Sequence, residues 1–216
     1  MKLLVLVISA DEYPYDVLED AIRETWAKDV PKECEVFFLK QKPFIGECYV
    51  DGDTFYAIGK ESWQTIGRKT VQSFEYFYKN TDFDYIFRTN LSSYVDLEKL
   101  LDFIDNNKIV YDGFIGHHNG LPFSSGAGIL ISKNTIKTII DNKSIWRHDI
   151  PDDVALAKLL KSFNIVPEGN VRRQTVVSVN DKIDINQYHY RCKQINRMDD
   201  VKIIKNIKYL KDASQY

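Results

Sequence analysis

Two adjacent carboxylates, Asp152 and Asp153, follow Pro151 and open an amphipathic segment. A carboxylate held there can take the proton of an attacking hydroxyl, the task of a general base. The same position suits acidic residues for a plainer reason, because the N-terminal end of a helix is electrically positive. A second group is Tyr188-His189-Tyr190-Arg191-Cys192-Lys193. In extended backbone His189, Arg191 and Lys193 fall on one side, so an imidazole and two cations would face one ligand. That arrangement suits a diphosphate, or through His189 a metal ion, although a solvated basic strand reads the same way. A third group, Asn90-Leu91-Ser92, offers only neutral oxygens between a β-prone run and a helix. Pro122 to Gly128 is rich in Gly and Ser, which lets backbone come close to a ligand and equally makes an ordinary turn. Asp51-Gly52-Asp53 and Asp82-Phe83-Asp84 both precede a β-prone run, where Asp and Gly serve connections, so they are read as a hairpin turn and a helix-to-strand connector.

These groups need a scaffold, and strand and helix signals alternate along the chain. Residues 3–8 form a continuous apolar run of the kind buried in a parallel sheet, and residues 16–28 have helical character. Residues 35–39 read as a second strand, and 49–58 as one or two short strands. Over 62–78, Trp63, Ile66, Thr70, Val71, Phe74, Phe77 and Tyr78 fall at helical spacing on one face. A strand over 84–88 leads into the 89–93 loop, and a helix over 97–104 has Asp96 as its N-cap. Two strands, 113–117 and 128–132, flank the Gly/Ser-rich stretch, and Ser132 or Asn134 starts the next helix. Residues 152–163 form a helix with Pro151 at its first turn, 171–179 alternate like a sheet strand, and a last helix spans about 197–213. The pattern predicts a single α/β domain over 1–216, with a mostly parallel central sheet flanked by helices and ligands gathered at the carboxyl ends of its strands.

Taken in order, these stretches resemble the family 31 glycosyltransferases, the group of Fringe and the β1,3-galactosyl- and N-acetylglucosaminyltransferases. Ala21-Ile22-Arg23-Glu24-Thr25-Trp26 is similar to the family's Ile-Arg-x-Thr-Trp signature. Glu61-Ser62-Trp63 through Lys69-Thr70 is similar to its segment opening the long helix, a mainly architectural part. Asp84 through Leu97 is similar to its metal-loop strand, Pro122 to Gly128 to its Pro-Tyr-x-Ser-Gly-Gly-Gly turn, and Ile150 to Leu156 to its acidic pair before Val. The resemblance implies a GT-A-type fold and an inverting transfer of sugar from a nucleoside-diphosphate donor, with UDP as the expected nucleotide, to a glycan hydroxyl. Asp153 is the implied base and Asp152 its orienting or sugar-binding partner. Ser9, Asp11, Arg23, Arg88, Asn90, Ser92, Ser125, Gly126, Arg191 and Lys193 are the expected donor-binding residues, and His189 a candidate ligand for Mn²⁺ or Mg²⁺. One departure matters. Aligning Tyr94-Val95 with the family's pattern sets Asn90, Leu91 and Ser92 where its acidic triplet stands, and a hard divalent cation wants carboxylate oxygens. Either metal dependence is weakened or another group neutralises the diphosphate. A sugar-nucleotide or glycan-binding module that has lost catalysis is the alternative.

Bulk properties exclude other classes. The 29 basic and 31 acidic residues nearly cancel, which argues against a nucleic-acid partner. Three cysteines without CxxC spacing argue against a disulfide framework or a structural zinc site. The first apolar run is short, reaches Asp11 and Glu12 at once, and lacks a cleavage site; with no membrane-spanning segment, a cytoplasmic setting is expected.

Overall fold

A computed structural model describes residues 1–214. Its centre is a seven-stranded sheet in the order β3-β4-β2-β1-β5-β8-β7, formed by β1 (Leu3–Ile8), β2 (Cys34–Lys42), β3 (Tyr49–Asp51), β4 (Thr54–Ile58), β5 (Tyr85–Asn90), β7 (Tyr111–His118) and β8 (Leu121–Ser132). The four consecutive strands β4, β2, β1 and β5 are parallel; β3, β8 and β7 pair antiparallel, so the sheet is mixed. A second sheet of three strands, β6 (Ser93–Val95), β10 (His189–Arg191) and β9 (Arg173–Thr175), lies beyond the end of β5.

Strand β1 explains the architecture. Its alternate residues feed two cores: Leu3, Val5 and Val7 face one, Leu4 and Leu6 the other. A strand buried on both faces must be apolar throughout, which is why its sequence shows no alternation. The first core is closed by α1 (Tyr15–Glu24), α3 (Leu97–Asp105) and α6 (Arg197–Ala213), with Trp26 and Tyr188 buried among them. The second is closed by α2 (Ile66–Asn80), α4 (Lys133–Asp141) and α5 (Asp152–Lys161). Capping follows the expected chemistry: the Asp96 side chain accepts from Lys99 N at the start of α3, and Ser132 accepts from Thr135 N at the start of α4. Gly52 (φ 58°) turns the β3–β4 hairpin, the left-handed conformation that glycine adopts without strain.

Several expectations are corrected. The Gly/Ser-rich stretch 122–128 is strand, part of β8 running alongside β7; the turn lies before it, at Asn119 (φ 49°) and Gly120 (φ 77°). The alternating segment 171–179 is strand only over Arg173–Thr175, because its neighbour β10 is three residues long and offers no more partners. Trp63 falls in a short 3-10 turn before α2 and is 77% exposed, so it does not share the buried helix face. Helix α1 stops at Glu24, where the Thr25 hydroxyl bonds back to the Ala21 carbonyl at 2.6 Å. No helix of the described residues is long and apolar enough to cross a membrane.

Asp96 joins two elements, since its second oxygen lies 2.6 Å from Lys211 Nζ on α6. Asp96→Ala removes a cap worth about 1 kcal/mol and leaves a mostly buried ammonium unpaired; urea denaturation is expected to show a loss of roughly 2–3 kcal/mol. Asp96→Ser, which keeps the cap alone, should recover about 1 kcal/mol of it.

Candidate functional site

The carboxyl ends of β1 and β5 lie side by side, Ile8 opposite Asn90. Chemistry-bearing residues gather at this edge because successive turns and helices start there. On β5, Arg88 is nearly fully buried on the α5 side of the sheet. Its Nη1 donates to the Gly126 carbonyl at 2.6 Å and its Nη2 to the Asp152 carboxylate in an ion pair. Burial pushes the Asp152 carboxyl above its ordinary range, and the Arg88 charge opposes that push. The neighbouring Asp153 is engaged differently. Its Oδ2 accepts from Gly126 N at 2.9 Å and its Oδ1 from Val154 N at 2.9 Å, with no cation paired to it among the described residues. A Cβ added to Gly126 would stand 2.6 Å from Arg88 Nη1 and 3.3 Å from Asp153 Oδ2, so this backbone approach requires glycine.

Asn90 links this group to the second sheet. Its Nδ2 lies 3.4 Å from the Gly126 carbonyl, and its Oδ1 accepts from Arg191 Nη1 at 2.6 Å and from Ser92 N at 3.1 Å. The Ser92 hydroxyl is held by Arg197 Nη2, and Arg197 Nη1 stands 2.7 Å from Asp200 Oδ2. Arg173, stacked 3.6 Å from the Phe114 ring centre, adds a third guanidinium near Arg191. Burial, then the charges of Arg197 and Arg173, push the Arg191 guanidinium down to about 10, with Asp200 opposing.

Other expected residues are placed otherwise. Ser9 is buried; its hydroxyl donates to Glu19 and its carbonyl accepts from Lys69 Nζ at 2.7 Å. Asp11, exposed past the end of β1, is tied to Lys40 at 2.7 Å. Arg23 is not at the edge. It packs 4.0 Å over the Phe38 ring and pairs with Glu19 and Asp53, so α1 carries it to the flank of the sheet and neutralises it there. Ser125 is half-buried on β8 beside Gly126, and its Oγ lies 3.5 Å from Ala127 N. Lys193 lies past the end of β10 and is exposed, apart from Arg191. His189 shares a strand face with Arg191, but that face is interior at His189. The imidazole is fully buried, its Nε2 lies 3.1 Å from Ser93 Oγ, and its ring meets Phe87 edge to face. Burial, with the Arg173 and Arg191 charges, pushes it well below the usual imidazole range. Among the described residues no three His, Cys, Asp or Glu side chains are grouped as metal ligands, so His189 has no companions for that role.

Sequence reasoning did not single out Arg173, Arg197 or Lys69. Lys69 is a fully buried lysine whose Nζ bridges Ser9 O and Glu61 Oε1 at 2.6 Å, with burial lowering its pKa and Glu61 opposing. It stands two residues before Val71 and five before Phe74, off the apolar spacing of α2, so helical periodicity gave no signal of its burial.

Neither a protein-family model nor a curated protein sequence matches the chain. Among solved structures it is similar to a glycosyltransferase involved in the glycosylation of the major capsid of PBCV-1, with TM-score 0.60 and 12% identity, over 95% of this chain and 99% of that chain. At that identity the likeness is one of fold. The chain has a GT-A-like glycosyltransferase fold, with a central sheet flanked by helices as the alternation of elements predicts, although the sheet is mixed where a mostly parallel one was expected, because β3, β7 and β8 join it through hairpin and antiparallel pairings.

Two outcomes are expected. The Gly126→Ala methyl would displace the Arg88 fork; a stability loss of about 1–3 kcal/mol is expected on denaturation, larger than that of Ser125→Ala. His189 stays neutral when folded, whereas the unfolded chain takes up a proton below pH about 6.5. Stability is therefore present above that pH and lost as pH falls, by up to ~1.4 kcal/mol per unit. In His189→Gln, denaturation between pH ~4.5 and ~6.5 should show a flatter slope than in the parent.

Proposed function

We propose that this chain is an inverting glycosyltransferase that moves a sugar from a nucleoside-diphosphate donor, with UDP the expected nucleotide, to a hydroxyl of a glycan acceptor. The observation that carries the reading is the Arg88–Gly126–Asp153 arrangement at the carboxyl edge of a GT-A-like sheet, where the half-buried Asp152 carboxylate is paired to an arginine and the adjacent Asp153 has no cation paired to it among the described residues. The neighbour's glycosyl-transfer activity lends support, as does the order of the motifs similar to family 31.

In this reading Asp153 is the general base. The acceptor oxygen attacks the anomeric carbon as its proton passes to an Asp153 carboxylate oxygen; the bond from that carbon to the diphosphate oxygen breaks, and the nucleoside diphosphate leaves with the electron pair. Attack on the face opposite the leaving group inverts the centre. Asp152 is the positioning partner: its charge is engaged by Arg88, which fixes the Gly126 carbonyl and with it the amide that orients Asp153. Preorganised groups of this kind need no rearrangement as charge develops.

A second reading, a sugar-nucleotide or glycan-binding module without catalysis, is favoured by one observation, the neutral Asn90-Leu91-Ser92 triplet. The two separate on one experiment. A nucleotide sugar that raises the melting temperature identifies the donor, and transfer to glycan acceptors is then measured. Asp153→Asn should keep nucleotide binding and lose transfer by about 10²–10⁴-fold. Transfer undiminished in Asp153→Asn would remove the assigned base, and binding with no transfer in the parent protein would leave the binding module.

A further inference from the structure

The GT-A-like fold and the motif resemblance imply a divalent cation at the end of β5, and the residues present there do not fit one. The triplet supplies an amide, an apolar side chain and a hydroxyl, in place of the carboxylates a hard cation prefers. Those neutral oxygens are also occupied. Asn90 Oδ1 accepts from Arg191 and from Ser92 N, and Ser92 Oγ accepts from Arg197. A divalent ion placed on them would displace two guanidinium contacts and sit against like charge. His189 faces Ser93 and Phe87 from inside the core.

The arginines themselves are undercompensated. Asp200, which pairs with Arg197, is the one carboxylate in an ion pair with Arg173, Arg191 or Arg197 among the described residues. Three guanidinium charges against one carboxylate leave an excess of two positive charges. Burying cations against neutral partners is costly unless something else benefits, and Arg173 Nε and Arg197 Nε are buried without hydrogen-bond partners. Arg197 retains partial exposure, its side chain being 21% accessible, and Arg191 reaches the same Asn90 that touches the Gly126 carbonyl beside Asp153. The positive excess is thus linked by consecutive contacts to the assigned base.

Resting on the transferase reading above, we infer that Arg191 and Arg197, backed by Arg173, take the place of the divalent cation, binding the donor diphosphate and stabilising the nucleoside diphosphate as it leaves, without metal. Guanidinium groups match phosphate oxygens in pairs, with a fork geometry a single ammonium lacks.

The test is isothermal calorimetry of the full chain with UDP, GDP, ADP and TDP and with the corresponding nucleosides, in EDTA and in excess Mn²⁺. At least one diphosphate should bind in EDTA, with Mn²⁺ changing its Kd by no more than about threefold. Arg191→Gln and Arg197→Gln should each weaken that diphosphate by about tenfold or more, leave the nucleoside unaffected, and be partly rescued by Lys at the same position. Asn90→Asp, which adds a carboxylate beside Arg191 and removes no arginine, should also weaken diphosphate binding in EDTA; this variant serves if a Gln variant fails to fold. Diphosphate binding that requires Mn²⁺ would overturn the inference and leave the transferase reading standing. Binding of no nucleotide under either condition would overturn both. Unchanged diphosphate affinity in folded Gln variants or in Asn90→Asp would show that the arginines serve the fold alone.

Discussion

The buried guanidinium of Arg88 is the constraint from which the rest of the edge follows. It stands on β5, in register with Leu6 on β1 and Ile129 on β8, so it cannot move without disturbing the middle of the sheet. A charge so placed must be paired, and losing one partner of such a pair costs about 3–5 kcal/mol. Asp152 supplies the pairing and the Gly126 carbonyl a second acceptor, which together draw the first turn of α5 onto the end of the sheet and hold β8 against it. Once α5 is docked there, Asp153 comes within reach of the Gly126 amide, and its position is a consequence of the pairing beside it. Glycine is required at 126 for the same reason, since the fork and the carboxylate leave no room for a Cβ.

Cations along this edge fall into two electrostatic kinds. Arg88, Lys69 and Lys40 each have a carboxylate partner: Asp152, Glu61, and the pair Asp11 and Glu19 respectively. Their charges are spent on holding turns to strands. Arg191 and Arg173 have no such partner among the described residues, and Arg197 has Asp200. Residual positive potential therefore collects where β5 meets the small sheet, beside the acidic pair and not over it. A site with an unpaired carboxylate on one side and uncompensated guanidinium groups on the other can separate the two ends of a displacement, taking a proton at one and stabilising a leaving anion at the other.

The fold was largely legible in the sequence because its signals are local. Apolar runs, the Asp96 and Ser132 caps, the Gly52 hairpin, the helical spacing on α2 and the helices that became α5 and α6 all reappear within a few residues of their expected bounds. What escaped depends on distant partners. Residues 122–128 have turn composition, yet β7 beside them and β5 beyond make them strand. Residues 171–179 alternate, yet a three-residue neighbour limits the pairing. The site was legible in part for a related reason. Alternation placed His189 and Arg191 on one face but could not say that this face is core at His189. Arg23 lies in the motif that drew attention to it, but its charge is matched by Asp53, thirty residues later, through the packing of α1. Arg197 looked like an ordinary first-turn residue of α6, and only the return of the chain to Ser92 gives it a place at the edge.

That return also holds the neutral Asn90-Leu91-Ser92 triplet in a fixed geometry. Neutral side chains facing solvent would be free to rotate. Here each polar member is fixed by an arginine from the far end of the chain, and Leu91 between them is buried in the core with Tyr94 and Tyr190. Carboxylates at 90 and 92 would pair with Arg191 and Arg197 and cancel the charge excess, so acids in the loop and arginines opposite it are mutually exclusive ways to prepare an anion site. A metal bound by acids brings its positive charge from solution, whereas guanidinium groups bring theirs in the sequence, at a desolvation cost met when the chain folds. Neutral side chains at 90 and 92 are what the second arrangement requires, because they can hold the two guanidinium groups in place without neutralising them.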